Sequence, residues 1–209
     1  MTNLFENIND KNIEKLKHIL KANTINYRKN VNVLSNVNHD NFIALIDTGS
    51  VQLIFNDYDG NKTIIDELGK GEIFGTLTSY IKNEEVSCIT KEATQITFIE
   101  YTEITNDEIF KNDFYIIFIK NLIKLLSEQI ETKNNRIEIL TKRTTRNKIL
   151  EYFKIQSQNT GSKIFTIPIS YTELANYLSV DRSAMSREIA YLREDGIIKT
   201  NGRKITLLY

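Results

Sequence analysis

At 209 residues the chain has room for one large domain or two small ones, each able to bury a core of its own. Lys+Arg and Asp+Glu balance at 27 each, yet residues 1–140 hold 15 against 21, a net of −6, and residues 141–209 hold 12 against 6, a net of +6. Cys88 is the one cysteine, which excludes an intrachain disulfide, a thiolate zinc site and a four-cysteine iron–sulfur cluster, and no apolar run approaches the roughly 18 residues of a membrane span.

Leu4, Phe5, Ile8, Ile13, Leu16, Ile19 and Leu20 recur at roughly helical spacing, which predicts short amphipathic helices over residues 4–20. From Thr24 to Tyr101 the period changes to two. Ile25–Tyr27, Val31–Val33, Phe42–Ile46, Val51–Phe55, Thr63–Leu68, Val86–Thr90 and Gln95–Tyr101 are short and rich in β-branched and aromatic residues. Turn formers separate them at Asp47-Thr48-Gly49, at residues 57–61 and at Gly69-Lys70-Gly71. Such spacing predicts an antiparallel sandwich or roll.

Asp107 to Leu140 has another character. Ile116, Ile119, Ile123, Leu126, Ile130, Ile137 and Leu140 follow a 3-4 spacing, with only Lys133 polar in the series and no Gly or Pro to interrupt it. A helix of about 30 residues with an a/d seam is longer than a small domain needs, so the seam is expected to pair two copies of the chain. A helix laid on its own sheet is the plainer alternative. The polar segment Thr141–Arg146 then reads as a hinge, and Ile149, Leu150 and Phe153 carry a helical face on to about Gln156. Gln158–Ser162 is expected to be a loop, followed by a short strand from Ile164 that Pro168 ends.

The last forty residues contain a denser set of signals. Ser170-Tyr171-Thr172-Glu173 is a capping box, in which the serine oxygen satisfies an orphan amide and the glutamate reaches back. Leu174, Ala175 and Leu178 form the inner face of that helix, and Ser179-Val180-Asp181 makes a turn whose aspartate can cap a second helix. On the second helix Ala184, Ile189 and Leu192 are expected to face inward, leaving Arg182, Ser183, Ser186 and Arg187 outward on its N-terminal half. A recognition helix places its base-reading side chains there, and an arginine fork onto guanine O6 and N7 gives about 1–3 kcal/mol of discrimination. Asp195-Gly196 closes the helix. The strand Ile197–Thr200, a type I′ turn at Asn201-Gly202 and the strand Lys204–Tyr209 complete a hairpin, with Arg203 and Lys204 at its tip placed for phosphate.

With these motifs the chain resembles the CRP/FNR family of bacterial transcription regulators along nearly its whole length. The family's helix-turn-helix is similar to Glu173-Leu174-Ala175 through Asp181-Arg182-Ser183-Ala184-Met185-Ser186-Arg187-Glu188, and the approach to its wing to Leu192–Ile198. The resemblance implies an α+β fold: a jelly-roll-like antiparallel β-roll over 1–106, a dimerisation helix over 107–142 and a winged helix over 143–209. It implies base reading by Arg182, Ser183, Ser186 and Arg187 and backbone contacts from Ser170 and Thr172.

The roll departs from the family's nucleotide-binding pattern. Gly71-Glu72-Ile73-Phe74-Gly75 resembles the start of the phosphate-binding cassette, but Thr76 stands where nucleotide-binding members carry a glutamate for the ribose. Their Arg-Ser pair falls on Val86-Ser87 in one register or Glu84-Glu85 in the other, and no arginine occurs between Arg28 and Arg136. A buried cyclic phosphate needs a matched cation, so cyclic nucleotide bound in the usual way is not expected. His18, His39 and Cys88 are the only strong haem-ligand types, and the lone cysteine rules out iron–sulfur sensing.

The expectation is a cytoplasmic homodimer that reads a palindromic double-stranded site, works with RNA polymerase, needs no cofactor or metal, and responds to an unidentified small-molecule effector or to none. No membrane association is expected. Two alternatives stay open: a ligand-binding signalling module whose winged helix binds protein, or a cyclic-nucleotide-responsive regulator with an atypical pocket. With no Ser-His-Asp set, metal-spaced His/Asp cluster or Gly-Lys phosphate loop, an enzyme is not expected.

Overall fold

The structure, a computed structural model, describes residues 4–36, 41–56, 58, 62–75, 85–106 and 112–209. The chain divides into two compact units, residues 1–128 and 129–209. No helix among the described residues is long and apolar enough to cross a membrane.

In the first unit, α1 (Asp10–Ile19) starts where the Asn9 side chain accepts the Asn12 amide proton at 2.9 Å. Residues 4–7 form a turn rather than the expected helix, with Asn7 at a positive φ of 62°. Seven strands follow: β1 (Asn23–Tyr27), β2 (Phe42–Thr48), β3 (Ser50–Asn56), β4 (Lys62–Gly69), β5 (Ile73–Gly75), β6 (Val86–Thr90) and β7 (Thr94–Glu100). They make two antiparallel sheets, ordered β1-β7-β2-β5 and β4-β3-β6. Phe42, Ala44, Phe74 and Phe98 of the first sheet share a core with Val51, Leu53 and Cys88 of the second. On its other face, Ile43, Leu45, Ile73 and Ile99 pack with Leu16 of α1 and with the first half of a long helix. Burial on both faces explains why Phe42–Ile46 is an unbroken apolar run rather than an alternating one.

Two sequence expectations change here. Val31–Val33 is not a strand: Asn32 makes a single bridge to Ile89, and Val33–Asn36 is a 3-10 turn. The Asn32 side-chain oxygen accepts from the amides of Leu34 (3.2 Å) and Cys88 (3.1 Å), and such side-chain bonds compete with a ladder. Tyr101 leaves the last strand to begin α2 (Tyr101–Ile104).

The long helix α3 spans Asp113–Leu140. Residues 107–111, where the sequence reading began it, lie outside the described residues. The second unit continues with α4 (Thr145–Thr160), β8 (Ile164–Thr166), α5 (Tyr171–Tyr177), α6 (Arg182–Glu194), β9 (Ile198–Asn201) and β10 (Lys204–Leu207), the strands ordered β8-β10-β9. Phe153, Leu174, Leu178, Met185, Leu192 and Ile205 anchor its core. Only residues 141–144 break the helices, because Thr144 Oγ1 already accepts the Asn147 amide and caps α4. That helix runs past Gln156 to Thr160, into the expected loop, and stops at Gly161 in the left-handed region (φ 61°).

The hairpin turn also shifts. Asn201 pairs with Lys204 inside the ladder, so the two loop residues are Gly202 and Arg203, not Asn201-Gly202. Gly202 has a φ of 57° and Arg203 has no positive φ, the pattern of a type II′ turn rather than type I′.

Candidate nucleic-acid interface

The helix-turn-helix is assembled by local bonds at each corner. Ser170 Oγ accepts the Glu173 amide (3.2 Å) while Glu173 Oε2 accepts the Ser170 amide (2.7 Å), which closes the capping box at the head of α5. Leu174, Ala175 and Leu178 are fully buried, as their spacing predicts. The turn passes through Ser179 in the left-handed region (φ 49°). Lys148 of α4 donates its ammonium to the carbonyls of Leu178 (3.1 Å) and Ser179 (3.4 Å), satisfying the end of α5. Nothing in the local sequence pairs residue 148 with that turn.

At the head of α6, Asp181 Oδ1 accepts from Ser183 Oγ (2.5 Å) and from the Ala184 amide (2.9 Å). The Ser183 hydroxyl first, and the Ala184 amide second, hold this carboxyl below the ordinary aspartate range. Arg182, Ser183, Ser186 and Arg187 are all exposed. Spacings of one and four residues put them on one strip of the first two turns. Met185, Ile189 and Leu192 are the buried stripe, at 4-3 spacing. Ala184, expected inward, is only half-buried, because the step of about 100° per residue leaves it at the edge of that stripe. Ser183 differs from its three neighbours: its hydroxyl proton is committed to the cap, so it faces outward as an acceptor.

The wing tip is held against the segment before α5. Tyr171 donates its hydroxyl to the Gly202 carbonyl (2.8 Å), and Arg203 Nη1 donates to the Pro168 carbonyl (3.2 Å). Ser170, Thr172, Arg203 and Lys204 are exposed around this junction, with Arg203 already tied to backbone. Several basic side chains of the second unit are paired with acids. Arg146 pairs with Asp195 and Glu188, Lys142 with Glu138 and Glu151, and Lys154 with Glu151. Arg182, Arg187, Lys199 and Lys204 of α6 and the wing make no ion pair among the described residues, and neither do Arg143, Lys163 and Arg193.

On α3 the apolar residues separate into two faces. Tyr115, Phe118, Leu122 and Leu125 are buried in the first unit's own core. Ile116, Ile123, Ile130 and Ile137, spaced by seven, are 52%, 58%, 59% and 59% exposed, and Ile119 and Leu126 beside them are half-buried. Ile119 and Leu126 pack against the first unit's core, so it is the isoleucines at intervals of seven that stand clear of it.

Among the described residues of the cassette, Gly71–Gly75 and residues 85–87, none is a cation. Gly75 closes β5 against β2 so tightly that a Cβ there would stand 2.1 Å from the Phe42 carbonyl oxygen. Thr76, Glu84 and His39 lie outside the described residues. Of the positions that match the Arg-Ser pair, Val86 is buried in β6, Ser87 accepts from the Asn56 amide (3.1 Å), and Glu85 is an acid. None carries a cation. Cys88 is fully buried and its thiol is pushed up to about 12 by burial, which makes it a poor ligand for metal.

Two family models match the chain in tandem, "cyclic nucleotide-binding domain" over residues 24–106 and "Crp-like helix-turn-helix domain" over residues 147–209. Solved structures share the fold. OCPA-complexed CprK superposes with a TM-score of 0.68 at 16% identity, covering 94% of this chain and 92% of that one. A CooA variant from Carboxydothermus hydrogenoformans gives 0.61 at 19% identity, over 91% and 85% of the two chains. The c-di-GMP-responsive global regulator CLP of Xanthomonas campestris gives 0.54 at 17% identity, over 95% and 99%. No curated protein matches the chain in sequence.

Proposed function

The chain belongs to the CRP/FNR family of transcription regulators, and on that premise we propose that it is a homodimer that reads a palindromic site in double-stranded DNA. The observation that carries this reading is the exposed strip of Arg182, Ser183, Ser186 and Arg187 on the first two turns of α6, a helix capped by Asp181 and buried along Met185, Ile189 and Leu192. Arg182 and Arg187 supply forks for guanine edges, and Ser183 and Ser186 supply short polar contacts. Ser170, Thr172 and Lys204 hold the phosphate backbone on either side, and Arg203 adds charge from its tethered position.

The exposed isoleucines of α3 support pairing through Ile116, Ile119, Ile123, Leu126, Ile130 and Ile137. β-Branched residues at the first seam position favour two strands. Two recognition helices then enter major grooves about one helical turn apart. RNA polymerase is the protein partner this role calls for, the cytoplasm its location, and no catalytic step is involved. Proteins of this fold serve different molecules: CprK is complexed with OCPA, and CLP responds to c-di-GMP. With no arginine between Arg28 and Arg136 to pair with a cyclic phosphate, its roll senses something other than a cyclic mononucleotide, or acts without an effector.

Arg187→Ala tests the reading. Loss of one guanine-reading fork per half-site should abolish preference for the selected palindrome while leaving weak, salt-sensitive binding to any duplex. A variant that keeps its full preference in competition binding would remove Arg187 from the base-reading set.

A further inference from the structure

After Arg28 the next arginine is Arg136, near the end of α3 and inside the unit that carries the helix-turn-helix. Its guanidinium lies over the ring of Tyr177, 5.4 Å from the centroid, within the range of cation–π attraction. Tyr177 is the last residue of α5, and its ring meets Tyr152 of α4 edge-on at 5.7 Å. Arg136 and Tyr177 are both half-buried, so water screens the pair less than it would a surface contact. Two more contacts tie down the same helical end. Ile139 is 1% exposed in the core of the second unit. Lys142 reaches Glu138 (3.6 Å) and Glu151 (3.0 Å) across the break between α3 and α4. Bending within residues 141–144 would break these bonds, so the last turns of α3 move with the helix-turn-helix.

We propose that Arg136 is a positioning residue for DNA recognition: stacked on Tyr177, it fixes the angle of α5 and α6 on the dimerisation helix, and with it the separation of the two recognition helices. An apolar contact such as that of Ile139 tolerates sliding, whereas a planar guanidinium over a ring has a defined orientation. The inference rests on the dimeric DNA-reading proposal above.

The probe is a duplex enriched from a pool with two inverted, randomised half-sites, together with derivatives whose central spacer is one base pair longer or shorter. Wild type should prefer the enriched spacing. Arg136→Gln and Tyr177→Leu should each lose about fivefold of that preference, the scale of a partly desolvated cation–π contact, while sedimentation still reports a dimer. Tyr177→Phe keeps the ring and should keep the preference. If Arg136→Gln does not fold, the Leu and Phe variants at position 177 carry the test between them. An unchanged spacing preference in Tyr177→Leu or in folded Arg136→Gln, or a Phe variant that behaves like the Leu variant, overturns the proposal. Wild type indifferent to both sequence and spacing overturns the DNA-reading proposal and this one with it.

Discussion

Asp181 holds the first turn of α6 through two donors, and its state of ionisation sets how well it does so. The Ser183 hydroxyl and the Ala184 amide both stabilise the carboxylate, which places its folded value below its unfolded one. A depressed carboxyl contributes stability above the unfolded value and loses it as pH falls through the folded value. Asp181→Asn keeps the shape and a side-chain acceptor without the charge. Wild type should therefore exceed this variant in thermal midpoint at neutral pH, and the margin should close below about pH 4. A margin that stays constant down to pH 3 would show that the charge contributes nothing to the cap. The cap itself was legible in the sequence, because a capping residue acts on amides two and three positions ahead. Lys148 was not, since it bonds carbonyls thirty residues away. Met185 was passed over for Ala184 by one residue on the helical wheel.

Helix α3 is apolar on two sides at different periods, which is why its pattern can be read two ways from sequence. The buried set from Tyr115 to Leu125 serves the first unit's core, while the exposed isoleucines keep a strict interval of seven. A strict heptad on a helix of 3.6 residues per turn calls for a second helix wound about it. Ile130→Glu should leave the monomer folded, because Ile130 is 59% exposed in the single chain. It should still place a charge in the seam and shift sedimentation from dimer to monomer, with loss of operator binding. Persistence of the dimer would place the interface elsewhere. At the wing the local signal misled by one residue. Asn-Gly is a strong type I′ pair, yet the Arg203 carbonyl accepts the Ile167 amide (2.9 Å) and its guanidinium binds Pro168, drawing Arg203 into the turn. Those partners lie more than thirty residues back and leave no mark on the local sequence.

At the scale of the whole molecule, the charge asymmetry pointed to the correct end of the chain but overstated the surface it provides. Arg146, Lys142, Lys154 and Lys148 are spent on internal bonds, so the free positive charge is narrower than the sequence count, and α6 and the wing carry four residues of it. The alternating strands made the antiparallel roll legible. How those strands divide between two sheets was not, because pairing such as β2 with β7 joins residues about fifty apart. The roll's sequence departs from its shape: the fold is that of a cyclic-nucleotide-binding domain, and no arginine occurs between Arg28 and Arg136. Millimolar cyclic AMP or cyclic GMP should leave both the thermal midpoint and the DNA affinity of the full chain unchanged. A rise in midpoint of several degrees would mean that another group replaces the arginine.

The most direct test of the account is selection by the full-length protein from a random duplex pool, followed by competition binding at fixed salt. The selected duplex should be an inverted repeat with half-sites about 10 base pairs apart, bound at least roughly a thousandfold more tightly than a scrambled duplex of the same length. Equal affinity for the two duplexes, with the same salt dependence, would contradict it.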